Sequence, residues 1–231
     1  MSLSVPRLLI VRGPMVNFHV LRDERGIYLL DAGFIGGPLL LERALRRAGW
    51  AGEKLVGIIL THGHLDHILN VGRLARESGA WIAAPRLDAA HYVGRPIYHG
   101  WSRVTAVLEG LGRPLLEFKS FRPDRWIDDG DELEVWDGLR AVHLPGHTAG
   151  HTGYYCERHR LLFCADLFAS YGRIAHLPPG IFNSDASMIP GSLRKALSLD
   201  LVGVLPNHGD RAAPELHLAR LQGLAQRHAL P

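Results

Sequence analysis

Thr61-His62-Gly63-His64-Leu65-Asp66-His67 brings three imidazoles and a carboxylate into one short turn, directly behind the apolar run Leu55-Val56-Gly57-Ile58-Ile59-Leu60. That run is too short and too β-branched for a helix and reads as a buried strand. A strand that stops in a polar, glycine-containing turn delivers its side chains to the C-terminal edge of a sheet, where open α/β sheets hold ligands. Imidazole nitrogen and carboxylate oxygen are the donors a borderline cation such as Zn²⁺ takes. One cation cannot easily accept all four groups from so short a turn. Residues 62 and 64 can point one way and residues 66 and 67 another, which implies two neighbouring cations.

If this cluster is half of a metal site, the remaining donors belong at the ends of other strands. Leu144-Pro145-Gly146-His147-Thr148-Ala149-Gly150-His151 follows an apolar strand and offers His147 and His151. Phe163-Cys164-Ala165-Asp166 closes a hairpin strand on a carboxylate, and Leu205-Pro206-Asn207-His208-Gly209-Asp210 ends a buried run on His208. Metal-bound imidazoles also need a partner for the other ring nitrogen. Asp31, Thr61 and Asp210 stand at strand ends as candidates, and His151 is read as a supporting histidine rather than a ligand. His19, His91, His99, His143, His159, His176, His217 and His228 have no spacing that argues for ligation.

The rest of the chain reads as strands with interspersed helices in both halves. Strands are expected at 7–11, 16–22, 27–31, 55–60, 81–84, 132–136, 139–144 and 201–205, with a hairpin over 153–165. Helical spacing covers 37–48, 68–75, 104–111, 191–199 and 213–228, and 167–189 reads as loop. The segment 86–125 is the least regular; its His91, Tyr92, Tyr98, His99 and Trp101 form an aromatic-rich insertion suited to a substrate wall or to plain packing. With 231 residues, 47% of them hydrophobic, the chain fits one compact α/β domain over 1–231, with sheets covered by helices in layers.

Charge excludes more than it identifies. The basic residues are almost all arginines spread along the chain, with no block suited to tracking phosphates, so nucleic acid is not an expected partner. Cys156 and Cys164 flank the hairpin without facing each other, so reduced thiols and a cytoplasmic setting are expected. No export signal and no membrane span are visible. A small-molecule substrate is the expected partner, and nothing fixes an oligomeric state.

These motifs closely resemble the metallo-β-lactamase superfamily of hydrolases. Its hallmark H-x-H-x-D-H stands here as His62, His64, Asp66 and His67, and its later positions match His147, Asp166 and His208. The opening Asn17-Phe18-His19-Val20 and Ile27-Tyr28-Leu29-Leu30-Asp31-Ala32-Gly33 is similar to the family's N-terminal strands. The resemblance implies a four-layer αββα sandwich with metals in a cleft at one edge of the sheets. It also implies that His62, His64 and His147 hold a first metal, that Asp66, His67 and His208 hold a second, and that Asp166 bridges.

Two divalent ions are expected, Zn²⁺ first because the donors are nitrogen-rich, with Fe or Mn²⁺ as alternatives. Such a pair shares and acidifies a water, and Asp66 can both ligate and orient the resulting nucleophile. The Pro-Gly-His-Thr stretch looks most like the glyoxalase II and lactonase branches, which implies a thioester, ester or lactone substrate. The chain departs from both. It ends soon after His208, where glyoxalase II carries a basic helical extension. The lactonase tyrosine is replaced by Ala169, with Tyr171 the nearest tyrosine and a candidate substrate contact. The rival readings on the same scaffold are a mononuclear iron oxidoreductase of the persulfide dioxygenase kind and a metal-dependent nuclease.

Overall fold

A computed structural model describes residues 5–98 and 102–227; His99, Trp101 and His228 lie outside the described residues. The chain opens with strands β1 (Leu8–Arg12), β2 (Asn17–Asp23) and β3 (Gly26–Leu30), which pair antiparallel in succession. Helix α1 (Gly37–Arg47) follows, entered through left-handed Gly36 and ended by Ala48 and Gly49. Then come β4 (Leu55–Ile59), the single turn α2 (Leu65–Ile68), α3 (Val71–Ser78) and β5 (Trp81–Pro85). After the short α4 (Ala89–Tyr92) and the longer α5 (Arg103–Leu115), β6 (Arg125–Ile127) completes a six-stranded sheet in sequence order. Its β3 to β6 run parallel, so β4 and β5 end at the same edge.

The second sheet is built from β7 (Glu132–Leu133), β8 (Leu139–His143), β9 (Thr152–Cys156) and β10 (Leu161–Ala165). A small hairpin, β11 (Ala169–Tyr171) and β12 (Ile174–His176), precedes α6 (Ile189–Leu197), β13 (Gly203–Pro206) and α7 (Pro214–Arg227). The sheet order is β13-β10-β9-β8-β7, with β13 parallel to β10.

Three apolar clusters define the layers. Leu41, Val71 and Ile68 pack on Phe18, Val20, Leu29 and Ile58, which lie on the outer face of the first sheet. Tyr28, Leu30 and Ile59 meet Ala141, Tyr154 and Phe163 between the two sheets. Leu193, Leu221 and Leu224 cover Val142, Leu162 and Val204 on the outer face of the second. Strand alternation does this sorting: along β2, Phe18 and Val20 join the outer cluster while Leu21 joins the inner one. The result is helix, sheet, sheet, helix, the αββα sandwich expected from the resemblance.

Two local expectations need correction. The strand over 132–136 is only Glu132–Leu133, because left-handed Trp136 and Gly138 turn the chain back toward β8. The stretch 167–189 is not all loop: Gly172 lets β11 and β12 form a hairpin. On α5 the apolar positions Val104, Val107, Leu108 and Leu111 face solvent, while Thr105, Glu109 and Arg113 are buried. Cys156 lies opposite Leu161 in the hairpin, and both thiols are free, as expected. No helix among the described residues is long and apolar enough to cross a membrane.

Candidate metal centre

The hallmark turn divides because its backbone does. His62 and His64 lie in the extended segment leaving β4, and His64 is the N-cap of α2, so Asp66 and His67 belong to the first helical turn. His147 arrives after β8 and His208 after β13. Asp166 follows Ala165, whose left-handed φ of 48° coincides with a register shift between β10 and β13. The seven residues follow β4 of the first sheet and β8, β10 and β13 of the second, and their side chains converge. His62, His64 and His147 form one group of converging donors, and Asp66, His67 and His208 form another.

Asp166 stands between the groups. Its Oδ2 lies 3.0 Å from His208 Nε2, 3.4 Å from His67 Nε2, 3.4 Å from His147 Nε2 and 4.0 Å from His62 Nε2. Asp66 Oδ2 lies 3.5 Å from His67 Nε2 and 3.6 Å from His208 Nε2. His64 Nδ1 is 2.9 Å from His147 Nε2.

The outer nitrogens fix the tautomers. His62 Nδ1 is 3.0 Å from Thr61 Oγ1, which donates to Asp31 Oδ2 at 2.7 Å. His67 Nδ1 lies 2.9 Å from the same carboxylate oxygen, and His147 Nδ1 lies 3.0 Å from Asn183 Oδ1. A ring whose Nδ1–H is committed in this way turns a lone pair on Nε2 toward the centre. His62 Nε2, His67 Nε2 and Asp166 Oδ1 are buried without a hydrogen-bond partner, the arrangement a cation would satisfy. Burial holds the His62 and His64 imidazoles neutral, far below their ordinary range. Burial also opposes charge on His208, but Asp166 and Asp66 outweigh it and lift that ring to about 10. The negative field that does so also favours a cation. The donor set therefore fits divalent metal.

Asp31, with a left-handed φ of 63°, accepts from Thr61 N–H, Thr61 Oγ1 and Asn207 Nδ2, and so serves both halves of the site. His151 commits both nitrogens, donating to Leu144 O at 2.9 Å and accepting Asp166 N–H at 3.1 Å. It positions the backbone of Asp166. Asp210 does not take the role expected of it. Its carboxylate accepts from Gly172 N, Ala212 N and Arg220, anchoring the β11–β12 hairpin rather than a site histidine. Tyr171 is half-exposed on that hairpin; burial, then the charges of Asp166 and Asp210, raise its pKa.

Several supporting residues had no signal in the sequence. Asp88, fully buried, accepts Gly63 N–H at 2.8 Å, Thr148 Oγ1 at 2.6 Å and Gly150 N–H at 2.7 Å. It ties the 62–67 turn to the 147–151 turn. Neither glycine has room for a side chain: a Cβ on Gly63 would sit 2.5 Å from His91 Cβ, and one on Gly150 would sit 2.8 Å from Asp88 Cγ. Glu109 Oε1 accepts Leu65 N–H, and its other oxygen pairs with Arg113. Asn183 and Asn207 were also missed. Among the described residues none of His19, His91, His143, His159, His176 and His217 joins a donor group, although His91 packs beside His64.

Comparison with known proteins gives the family and the fold. The model of the metallo-beta-lactamase superfamily matches residues 11–206. The chain belongs to that superfamily. A metallo-beta-lactamase family protein of Thermus thermophilus shares the fold, with a TM-score of 0.73 and 22% identity over 97% of this chain and 80% of its own. A hydroxyacylglutathione hydrolase of Aeromonas hydrophila is 33% identical over 156 residues, 66% of this chain and 46% of its own length. Another of that name, from Haemophilus influenzae, is 29% identical over 65% of each. The chain thus spans about half to two thirds of these curated relatives.

Proposed function

We propose that this superfamily member is a metal-dependent hydrolase of acyl compounds, with a thioester as its first-choice substrate. His62, His64 and His147 would hold one divalent ion, Asp66, His67 and His208 a second, and Asp166 would serve both. The position of Asp166 Oδ2 carries the assignment, because it lies within 3.0–4.0 Å of histidines from both donor groups. Donors on both sides of one carboxylate favour two ions over the single iron of a dioxygenase-like site. A nitrogen-rich set without thiolate favours Zn²⁺, with Fe and Mn²⁺ the other candidates. When bound, such ions supply an activated water and a Lewis acid for the scissile carbonyl.

The chain's own residues do the rest. Asp31, Thr61 and Asn183 hold the imidazoles in the tautomer that turns Nε2 inward. Asp66, kept ionised chiefly by His67 against the cost of burial, is placed to orient the attacking water. His151 fixes the main chain at Asp166, so that carboxylate does not swing as charge develops. Tyr171, exposed on β11 and within the influence of Asp166, is the candidate substrate contact. The names of the curated relatives favour a thioester over a lactone or simple ester.

The test is metal content of protein purified without added metal, together with a panel of thioesters, lactones and esters. Two ions per chain and thioester hydrolysis abolished by chelation are expected. Oxygen uptake with a persulfide and one iron per chain would instead establish the oxidoreductase reading.

A further inference from the structure

Helix α7 and the β11–β12 hairpin enclose a cationic groove that the metal centre does not use. Arg220, Gly223 and Arg227 follow one another at helical spacing and so line a single stripe of α7. The hairpin lies against that stripe and adds Ala175 from β12 and Arg173 from the tip beside Gly172. Together they surround about 260 Å³ of open space. Gly223 keeps that space clear: the nearest atom to a Cβ there would be Arg227 Nη1, at 3.6 Å. Among the described residues, none that lines the groove is acidic and none belongs to a donor group of the metal centre.

Each guanidinium is only partly committed to the fold. Arg220 donates through Nη1 to Ser170 Oγ at 3.1 Å and to Asp210 Oδ1 at 3.0 Å. Arg227 donates through Nη2 to Ala175 O at 2.8 Å. Arg173 is exposed and, among the described residues, forms no hydrogen bond or ion pair. Asp210 is the carboxylate bonded to this cluster, and it also accepts from Gly172 N–H and Ala212 N–H. Three cations beside one carboxylate leave an excess of about two positive charges, which a phosphate monoester near neutral pH matches. We propose that this groove binds a phosphate group, with the largely buried Arg220 at its floor and Arg173 and Arg227 at its rim. Three guanidiniums from two elements suit a tetrahedral oxyanion, whereas a carboxylate is satisfied by a single fork. α7 carries no other arginine or lysine, so a single phosphate group is matched rather than a polyanion. That group can arrive as free phosphate or as the monoester of a small organic molecule.

Calorimetric titration of the metal-loaded protein with inorganic phosphate, glycerol 3-phosphate and succinate tests the assignment. Arg173→Ala and Arg227→Gln are each expected to weaken phosphate binding about ten- to a hundredfold, with an unchanged circular dichroism spectrum. Because Arg173 makes no bond within the described fold, its variant reports on the ligand alone. Arg76→Ala removes the same charge from α3, which packs on the other sheet, and is expected to leave binding within about twofold. Tighter binding of glycerol 3-phosphate than of phosphate supports the site with an organic monoester as its ligand; equal or weaker binding supports it with free phosphate. Phosphate binding that survives both arginine variants belongs to the metals and overturns the inference. Succinate bound as tightly as phosphate, an equal loss in Arg76→Ala, or no binding of either phosphate compound overturns it too.

Discussion

Removing the Asp88 carboxylate should loosen one half of the metal centre and leave the other nearly intact. Asp88→Ala strands two backbone donors, Gly63 N–H and Gly150 N–H, in a buried site, while Thr148 can rotate its hydroxyl away. Each stranded donor costs about 1–3 kcal/mol, and loss of hydrogen bonds to a charged acceptor falls at the upper end, so roughly 3–5 kcal/mol of stability should go. That is a large part of the 5–15 kcal/mol typical of a domain. The same bonds fix the distance between the turn bearing His62 and His64 and the turn bearing His147. Asp66, His67 and His208 make no hydrogen bond to Asp88, and His67 is held separately by Asp31. Urea denaturation of metal-depleted protein gives the first number, and elemental analysis with chelator competition gives the second. The expected result is a lower midpoint at unchanged slope, with metal content falling from two ions towards one. A variant within about 1 kcal/mol of wild type that still binds two ions at full affinity would refute the clamp.

Asp166→Ala should lose nearly all metal and turnover, because among the described residues its Oδ2 is the carboxylate oxygen close to histidines of both groups; elemental analysis and thioester hydrolysis check this together. Tyr171→Phe should change substrate preference across the acyl panel at unchanged metal content, and an unaltered panel would make the residue a bystander. Burial raises the pKa of both Cys156 and Cys164, so a thiol reagent should label neither in native protein and both after denaturation. Rapid native labelling would contradict the buried hairpin.

The donors were legible because each follows an apolar strand and carries its chemistry in its own side chain. His62, His64, Asp66 and His67 are local in sequence, and His147, Asp166 and His208 repeat the same strand-then-donor pattern. Their supports were not legible. Asp88 acts on main-chain N–H groups of Gly63 and Gly150, distant in sequence, and nothing in a lone aspartate foretells that. Asn207 reaches Asp31 across nearly the whole chain. Asp210 stood at a strand end like the others, yet Arg220 and the hairpin amides claim it. Helical periodicity located α5 and left open which of its faces turns inward. Periodicity identifies two faces, but here a buried Glu109–Arg113 pair and the donors beneath it decide which face turns in.

The central claim is that two cations sit on either side of one carboxylate. A crystal of protein purified without chelator, with diffraction recorded across the metal absorption edge, tests this directly. Two anomalous peaks are expected, one among His62, His64 and His147 and the other among Asp66, His67 and His208, with Asp166 touching both. A single peak in fully active protein, or any of these seven side chains turned away from both peaks, would contradict it.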